Sequence, residues 1–311
     1  TETVYGIGAD ARNPEAVARI FEAKQRPLYA PLIVHVSAPD QVRSLVPELP
    51  EKARILMEKF WPGPLTLVLP KGESVPDIVT AGKGSVAVRM PSHPLAIRLL
   101  AKAGLPVAAP SANLFGRTSP TTAAHVLSQL EGAFDVLIDG GTCRVGVEST
   151  VLSLIEDPPR LLRAGGLAPE EIEALIGPIS YPANAAGDAG SAGEGEADVH
   201  GTDVADTGEE SPGLLPDHYA PVTPLRMVDS IEEYRTNERV AKLLFSGSCE
   251  GCRGPWTVLS PRAEVREAAV RLYHALQELD RSGVELIVAE WAPDRGLGHA
   301  INDRLRKASE K

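Results

Sequence analysis

Short apolar runs alternate with amphipathic stretches twice along this chain, and between the two zones lies a segment with almost no large apolar residue. That rhythm limits the architecture. Strands that alternate with helices bury their apolar faces against one another as α/β layers, while a segment of Gly, Ala, Asp and Glu cannot bury enough surface to offset its ordering entropy. The 311 residues, 43% of them hydrophobic, exceed one typical domain. We therefore expect a first domain over 1–180, a flexible acidic linker and lid segment over 181–222, and a small α/β domain over 223–311.

The first zone opens with a helix signature at Asn13-Pro14-Glu15, a capping amide followed by proline at the first helical position and an acid in the first turn. Val17, Ile20, Phe21 and Lys24 recur at helical spacing, and Pro27 stops the helix just after Arg26. Lys24 and Arg26 are thus expected as exposed cations at the mouth of a cleft. Leu32 to Val36 reads as a strand interrupted by His35, which places the imidazole at the strand's exit or on a ligand-facing side. Glu51 to Phe60 predicts a helix, Leu65 to Leu69 and Ser85 to Arg89 strands, and Leu95 to Ala103 a helix closed by Gly104. Val107 to Ala109 is a strand, Thr122 caps the next helix, and Asp135 to Asp139 is read as a strand before Gly140-Gly141. Thr150 to Leu154 and Arg160 to Arg163 follow as paired strands, then a helix from Ala168 to Ile176. In the second zone, Thr223 to Val228, Ala241 to Phe245, Thr257 to Ser260 and Val284 to Glu290 read as strands, with helices from Pro261 to Asp280 and from His299 to Ala308.

The formal net charge of −11 disfavours general duplex binding, but it is unevenly placed. Asp188, Glu194, Glu196, Asp198, Asp203, Asp206, Glu209 and Glu210 all fall in the linker, which leaves the remainder close to neutral. A local basic cleft stays compatible with that balance. No apolar run approaches a membrane span. Three cysteines argue against a disulfide framework and for a reducing cytoplasm.

Several ordered motifs carry a resemblance. Thr1-Glu-Thr-Val-Tyr-Gly-Ile-Gly, Lys24-Gln-Arg26-Pro with Pro31-Leu32, Val88-Arg89-Met-Pro, Pro110-Ser-Ala-Asn113 and Glu148-Ser149-Thr150 resemble, in that order, the YrdC-like family of threonylcarbamoyl-adenylate synthases. Ser211-Pro-Gly, His218-Tyr219-Ala-Pro and the further domain look like that family's two-domain form. The resemblance implies an open, twisted α/β sheet of mixed direction with a central cleft, plus a small C-terminal Rossmann-like domain. It also implies a helix and a strand ahead of Thr1.

The implied reaction joins L-threonine, bicarbonate and ATP into threonylcarbamoyl-adenylate with loss of pyrophosphate, for threonylcarbamoyladenosine in tRNA. Lys24, Arg26, Ser111 and Asn113 would be catalytic. ATP would meet Arg26, Ala30, Ser85, Ser111, Ser119, Arg163 and Tyr219. L-threonine would meet Thr3, His35, Arg89, Ala109 and Ser149, with Arg89 suited to a bidentate grip on its carboxylate. Where the family often has asparagine this chain has Ala30, a departure that weakens a side-chain ATP contact there. Magnesium would enter with ATP and no protein metal ligand is assigned. Downstream transferase proteins would take the product, so that any tRNA contact is indirect. The lid, Ser211 to Tyr219-Ala-Pro, would close over ATP, and the second domain would matter mainly through that tether.

Two alternatives remain: a carbamoyl-transfer module of the hydrogenase-maturation type, whose acylphosphatase and zinc-finger segments are missing here, and a non-catalytic RNA-binding module. Smaller signals carry less. Cys249-Glu-Gly-Cys252 has redox or half-zinc spacing without a second pair, and reads as a loop with two ordinary thiols. Cys143 is incidental. Gly247 to Gly251 lacks the phosphate-loop fingerprint, and His125 is a solvated or satisfied helix histidine. Ser111 and Ser149 lie in no Gly-x-Ser-x-Gly setting and read as hydrogen-bonding serines rather than nucleophiles.

Overall fold

A computed structural model describes residues 1–182 and 219–310. The linker from 183 to 218, and with it the lid stretch from Ser211 to His218, lies outside the described residues. In chain order the first domain contains β1 (Ala9–Asp10), α1 (Pro14–Lys24), β2 (Ile33–His35), α2 (Glu51–Phe60), β3 (Leu65–Pro70), α3 (Asp77–Thr80) and β4 (Ser85–Arg89). It continues through α4 (Pro94–Ala103), β5 (Val107–Ala108), α5 (Ala123–Leu130), β6 (Thr150–Ser153), β7 (Arg160–Arg163) and α6 (Pro169–Ile176). Its seven strands run in the order β1-β5-β2-β4-β3-β6-β7, a mixed sheet in which β2 and β4 are parallel while β3 and β4 are antiparallel.

Strand alternation gives that sheet two different faces. Val34, Val86, Val88, Leu67, Leu69 and Leu152 pack with Val17, Ile20 and Phe21 of α1, with Leu56 and Met57 of α2 and with Ile172 of α6. The opposite parity, Ile33, Val68, Ala87 and Val151, forms a smaller cluster with Leu162, of which Ile33 lines the cavity described below. His35 and Arg89 continue that parity at the ends of β2 and β4, where they are paired in register. The apolar alternation that builds the core therefore delivers both side chains to the cleft.

The second domain follows as β8 (Leu225–Val228), β9 (Val240–Leu244), β10 (Trp256–Val258), α7 (Val265–Asp280), β11 (Leu286–Glu290) and α8 (Gly298–Ser309). Its four strands are all parallel, in the order β10-β9-β11-β8. It is docked directly on the first domain through its own helices. Val4 and Val147 share one apolar cluster with Leu272 and Leu276 of α7 and Ile301 and Leu305 of α8. Glu170 Oε1 accepts from the Gly296 amide at 3.2 Å and faces His299 Nε2 at 3.1 Å. Among the described residues, no helix is long and apolar enough to cross a membrane.

Two local expectations are overturned. Asp135 to Asp139 is not a strand: it pairs with no strand, Val136 is 76% exposed and Ile138 47%, only Leu137 packs partly inward, and Asp139 Oδ1 accepts from Tyr5 OH and from the Gly141 amide. Cys249 and Cys252 are not two separate thiols but a disulfide. The Cys252 amide donates to the Cys249 carbonyl at 3.0 Å, and Gly251 takes φ +80°, so a tight turn brings the Cα atoms to 5.4 Å. Cys143 is free and buried, and His125 is a buried histidine satisfied by Thr121 rather than a solvated one.

Candidate active site

A cavity of about 620 Å³ opens on the concave face of the first domain. Its polar wall is made by Thr3, Arg26, His35, Arg89, Ser111, Ser149, Arg163 and Tyr219, with the Ala109 backbone beside them. Of these, Arg26, Arg89 and Arg163 are all buried. Converging guanidinium groups with hydroxyls between them suit a ligand that carries several anionic oxygens.

Lys24 departs from the expectation of an exposed cation. It is 1% exposed, because the stripe that seats Val17, Ile20 and Phe21 on the sheet also turns Lys24 inward. Its Nζ donates to the Ser111 and Asn113 carbonyls at 2.5 Å each, while the Phe115 amide donates to the Lys24 carbonyl at 2.9 Å. Burial first, and the neighbouring Arg26 second, push the Lys24 ammonium well below its ordinary value. The lysine thus clamps the Ser111–Asn113 loop to the end of α1. Arg26 is also buried; Nε donates to the Ala30 carbonyl at 3.2 Å, Nη2 to the Pro31 carbonyl at 3.0 Å, and Cζ stands 5.5 Å from the Phe115 ring centroid. Ala30 is itself buried, and its carbonyl serves Arg26. Asn113 donates from Nδ2 to the Leu114 and Arg117 carbonyls at 2.7 and 2.9 Å, so its side chain shapes the loop rather than the cavity wall.

Arg89 sits between three partners. Nε donates to the Gly63 carbonyl at 3.1 Å, Nη1 to Thr3 Oγ1 at 3.0 Å, and Nη2 to Glu2 Oε1 at 2.6 Å. A guanidinium has five N–H donors, so these bonds leave two for a ligand. Burial raises the Glu2 carboxyl, but Arg89 beside it brings it below its usual value, so the pair is ionised. His35 is held down at about 3, first by burial and then by Arg89, and is neutral near pH 7. Its Nδ1 is buried without a hydrogen-bond partner. A neutral imidazole beside a guanidinium can accept from an ammonium or hydroxyl without adding positive charge.

Ser149 closes the wall. Its Oγ pairs with Thr66 Oγ1 at 2.7 Å, and its carbonyl accepts from Arg163 Nε and Nη2 at 3.1 and 2.9 Å. Ser119 is fully buried, does not itself line the cavity and donates to Glu148 Oε1 at 2.6 Å. Ser85 shares the parity of Ala87 and Arg89 but stands four residues away, about 13 Å along β4. There it lines a second, smaller depression with Pro70, Ser153 and Glu156.

Sequence reasoning missed two acids. Glu2 orients Arg89, and Glu148, beside Ser149, is a buried hub that also accepts from Tyr273 OH and from Arg304 Nε. Burial raises the Glu148 carboxyl, but Arg304 and Arg163 hold it down at about 2. Both acids lay inside motifs that had been read for their neighbours. Their partners, 87 and 156 residues away in the chain, give no local signal.

Known proteins share this chain's sequence and fold over nearly its whole length. The Sua5/YciO/YrdC family, described as "Telomere recombination", matches residues 1–165, and the family described as "Threonylcarbamoyl-AMP synthase, C-terminal domain" matches residues 167–310. The threonylcarbamoyl-AMP synthase of Pyrococcus abyssi is 45% identical, with 99% of this chain and 88% of that protein covered. The Bacillus subtilis protein of the same name is 44% identical over the same shares. The crystal structure of P. abyssi Sua5 complexed with L-threonine superposes with a TM-score of 0.85 at 42% identity, covering 99% of this chain and 88% of that one. Neither the hydrogenase-maturation alternative nor the RNA-binding one is favoured by these matches. The chain therefore belongs to the Sua5/YciO/YrdC family, in the form that carries the threonylcarbamoyl-AMP synthase C-terminal domain.

Proposed function

We propose that the chain is an L-threonylcarbamoyladenylate synthase, a nucleotidyltransferase that joins L-threonine, bicarbonate and ATP and releases pyrophosphate. The observation that carries this reading is the Arg89 site: a buried guanidinium with two uncommitted N–H donors, flanked by Thr3, the neutral His35 and Ser149 on one cavity wall. That set matches an amino acid, with Arg89 on the carboxylate, His35 able to accept from the amino group, and hydroxyls for the side chain. Arg26, Arg163 and Ser111 line the same cavity and would meet the phosphates.

The chemistry asks little covalent work of the protein. In this scheme the threonine nitrogen bonds to the bicarbonate carbon as a C–O bond breaks, with loss of water and a proton; the carbamate oxygen then attacks the α-phosphorus of ATP, a P–O bond forms, the α–β bridge breaks, and pyrophosphate leaves with the electron pair. Charge grows on phosphoryl oxygens, so fixed cations supply the stabilisation. Neutral His35 is a hydrogen-bond acceptor for the amine rather than a strong base, in keeping with its depressed pKa. Magnesium belongs to this scheme as part of the MgATP substrate. Among the described residues no group of three or more His, Cys, Asp or Glu could hold a metal, and both Glu148 oxygens are already occupied by protein donors. The product would pass to downstream transferase proteins that act on tRNA.

Titration calorimetry with L-threonine tests the carboxylate site. Arg89→Lys keeps the charge but loses the planar fork, and should weaken threonine binding by about tenfold or more. Unchanged affinity in a folded Arg89→Lys protein would remove Arg89 from the threonine site.

A further inference from the structure

Glu148 forms part of the cavity wall, yet its carboxylate is held from the other domain. Oε1 accepts from Ser119 Oγ at 2.6 Å and from Tyr273 OH at 2.9 Å, and Oε2 accepts from Arg304 Nε at 2.8 Å. Tyr273 lies on α7 and Arg304 on α8, both fully buried. The Arg304 guanidinium also lies 4.7 Å from the centroid of the Tyr219 ring, which lines the cavity. A buried ion pair is weak evidence for adhesion, because desolvation of the two charges cancels much of their attraction. The same interface already has an apolar cluster of Val4, Val147, Leu272 and Ile301 to hold the domains together. What the polar network adds is position.

The residue that follows Glu148 is Ser149, whose carbonyl accepts from Arg163 Nε and Nη2. A shift of the Glu148–Ser149 segment therefore redirects the Arg163 cation. We infer that Tyr273 and Arg304 are positioning residues of the active site: from the second domain they fix Glu148, and through it the Ser149 carbonyl and Arg163, while Arg304 also seats the Tyr219 ring. The second domain is then a structural part of the nucleotide site, and not only a neighbour of it. This rests on the synthase reading for the identity of the nucleotide, but the coupling itself is open to a separate measurement.

The test uses the full chain with Tyr273→Phe, Arg304→Lys and Arg304→Met. Titration calorimetry gives the ATP and threonine affinities, and pyrophosphate release gives KM for ATP and kcat. Tyr273→Phe removes one hydroxyl and keeps its ring in the core, so this variant should fold. Its ATP affinity should fall about fivefold to tenfold, the size of one lost hydrogen bond, with threonine affinity within about twofold of the unaltered chain. Arg304→Met should lose more, and Arg304→Lys should recover part of that loss. ATP affinity and KM unchanged in Tyr273→Phe, with only a lowered melting temperature, would make the network purely structural and overturn the inference. If ATP binding follows the expected order while the unaltered chain releases no pyrophosphate with both threonine and bicarbonate present, the coupling stands and the synthase reading falls.

Discussion

Lys24 shows how a single residue can be read rightly for its place and wrongly for its environment. The helical stripe located it at the end of α1, but a position on the same stripe as Val17 and Phe21 faces the core, and there the ammonium serves two carbonyls. Lys24→Ala should therefore do more than remove a charge. It uncovers the Ser111 and Asn113 carbonyls and leaves a cavity, at a cost of about 2–4 kcal/mol in stability. Denaturant titration measures that cost, and a variant as stable as the unaltered chain would contradict the clamp. His35 makes a second prediction, of opposite chemistry. Its folded value of about 3 lies below the ordinary 6.5, so between those values the unfolded chain binds the proton that the folded chain refuses. The contribution is complete above pH 6.5 and is lost as pH falls toward 3. His125, depressed to about 4 by burial and then by His274, acts in the same direction, and Glu148, held at about 2 against an ordinary 4.5, adds its loss below pH 4.5. Stability should fall steadily from pH 7 to 4, and His35→Asn should flatten that slope. An unaltered slope in the variant would mean that His35 takes up its proton at the same pH in the folded and unfolded chain, which contradicts its burial as a neutral imidazole.

Between elements, the close fit of α7 against the 145–147 segment is the feature most open to disruption. Gly146 has φ +79°, and a Cβ there would stand 2.3 Å from Val270 Cα and 2.4 Å from the Ala269 carbonyl oxygen. Gly146→Ala should separate α7 from the cleft wall, lower the melting temperature by several degrees and weaken ATP binding with it. An alanine variant with the original melting temperature would show that the interface yields without cost. Much of the element order was legible, because periodicity and caps are local. Asn13 and Pro14 begin α1, its Asn13 Oδ1 accepting from the Glu15 and Ala16 amides, and Glu51–Phe60 and Ser85–Arg89 stand as read. Where the signal was short or shared, it failed. The four residues of α3 are too few to show a period, and Asp135 to Asp139 has strand composition but no sheet to join. Arg89, Ser111 and Ser149 stood in the motifs that carry the family resemblance and His35 and Arg163 were implied by it, and the fold brings all five to one cavity. Their partners Glu2 and Glu148, and the burial of Lys24, depend on contacts between distant parts of the chain.

At the scale of the whole molecule, the two domains meet through an apolar cluster and a buried ionic network that reaches the cavity wall. The first domain supplies a sheet face with the proposed amino-acid site around Arg89 and His35 at one end and further cations along the cavity, and the second holds that wall in place. The central claim is that this cavity unites three substrates. It is tested most directly by following pyrophosphate release and the transfer of labelled bicarbonate into an AMP-linked product. The full chain should release pyrophosphate only when ATP, L-threonine and bicarbonate are all present, with the label in threonylcarbamoyl-AMP. Pyrophosphate release that persists at the same rate without threonine, or label that never reaches an AMP-linked product, would contradict the account.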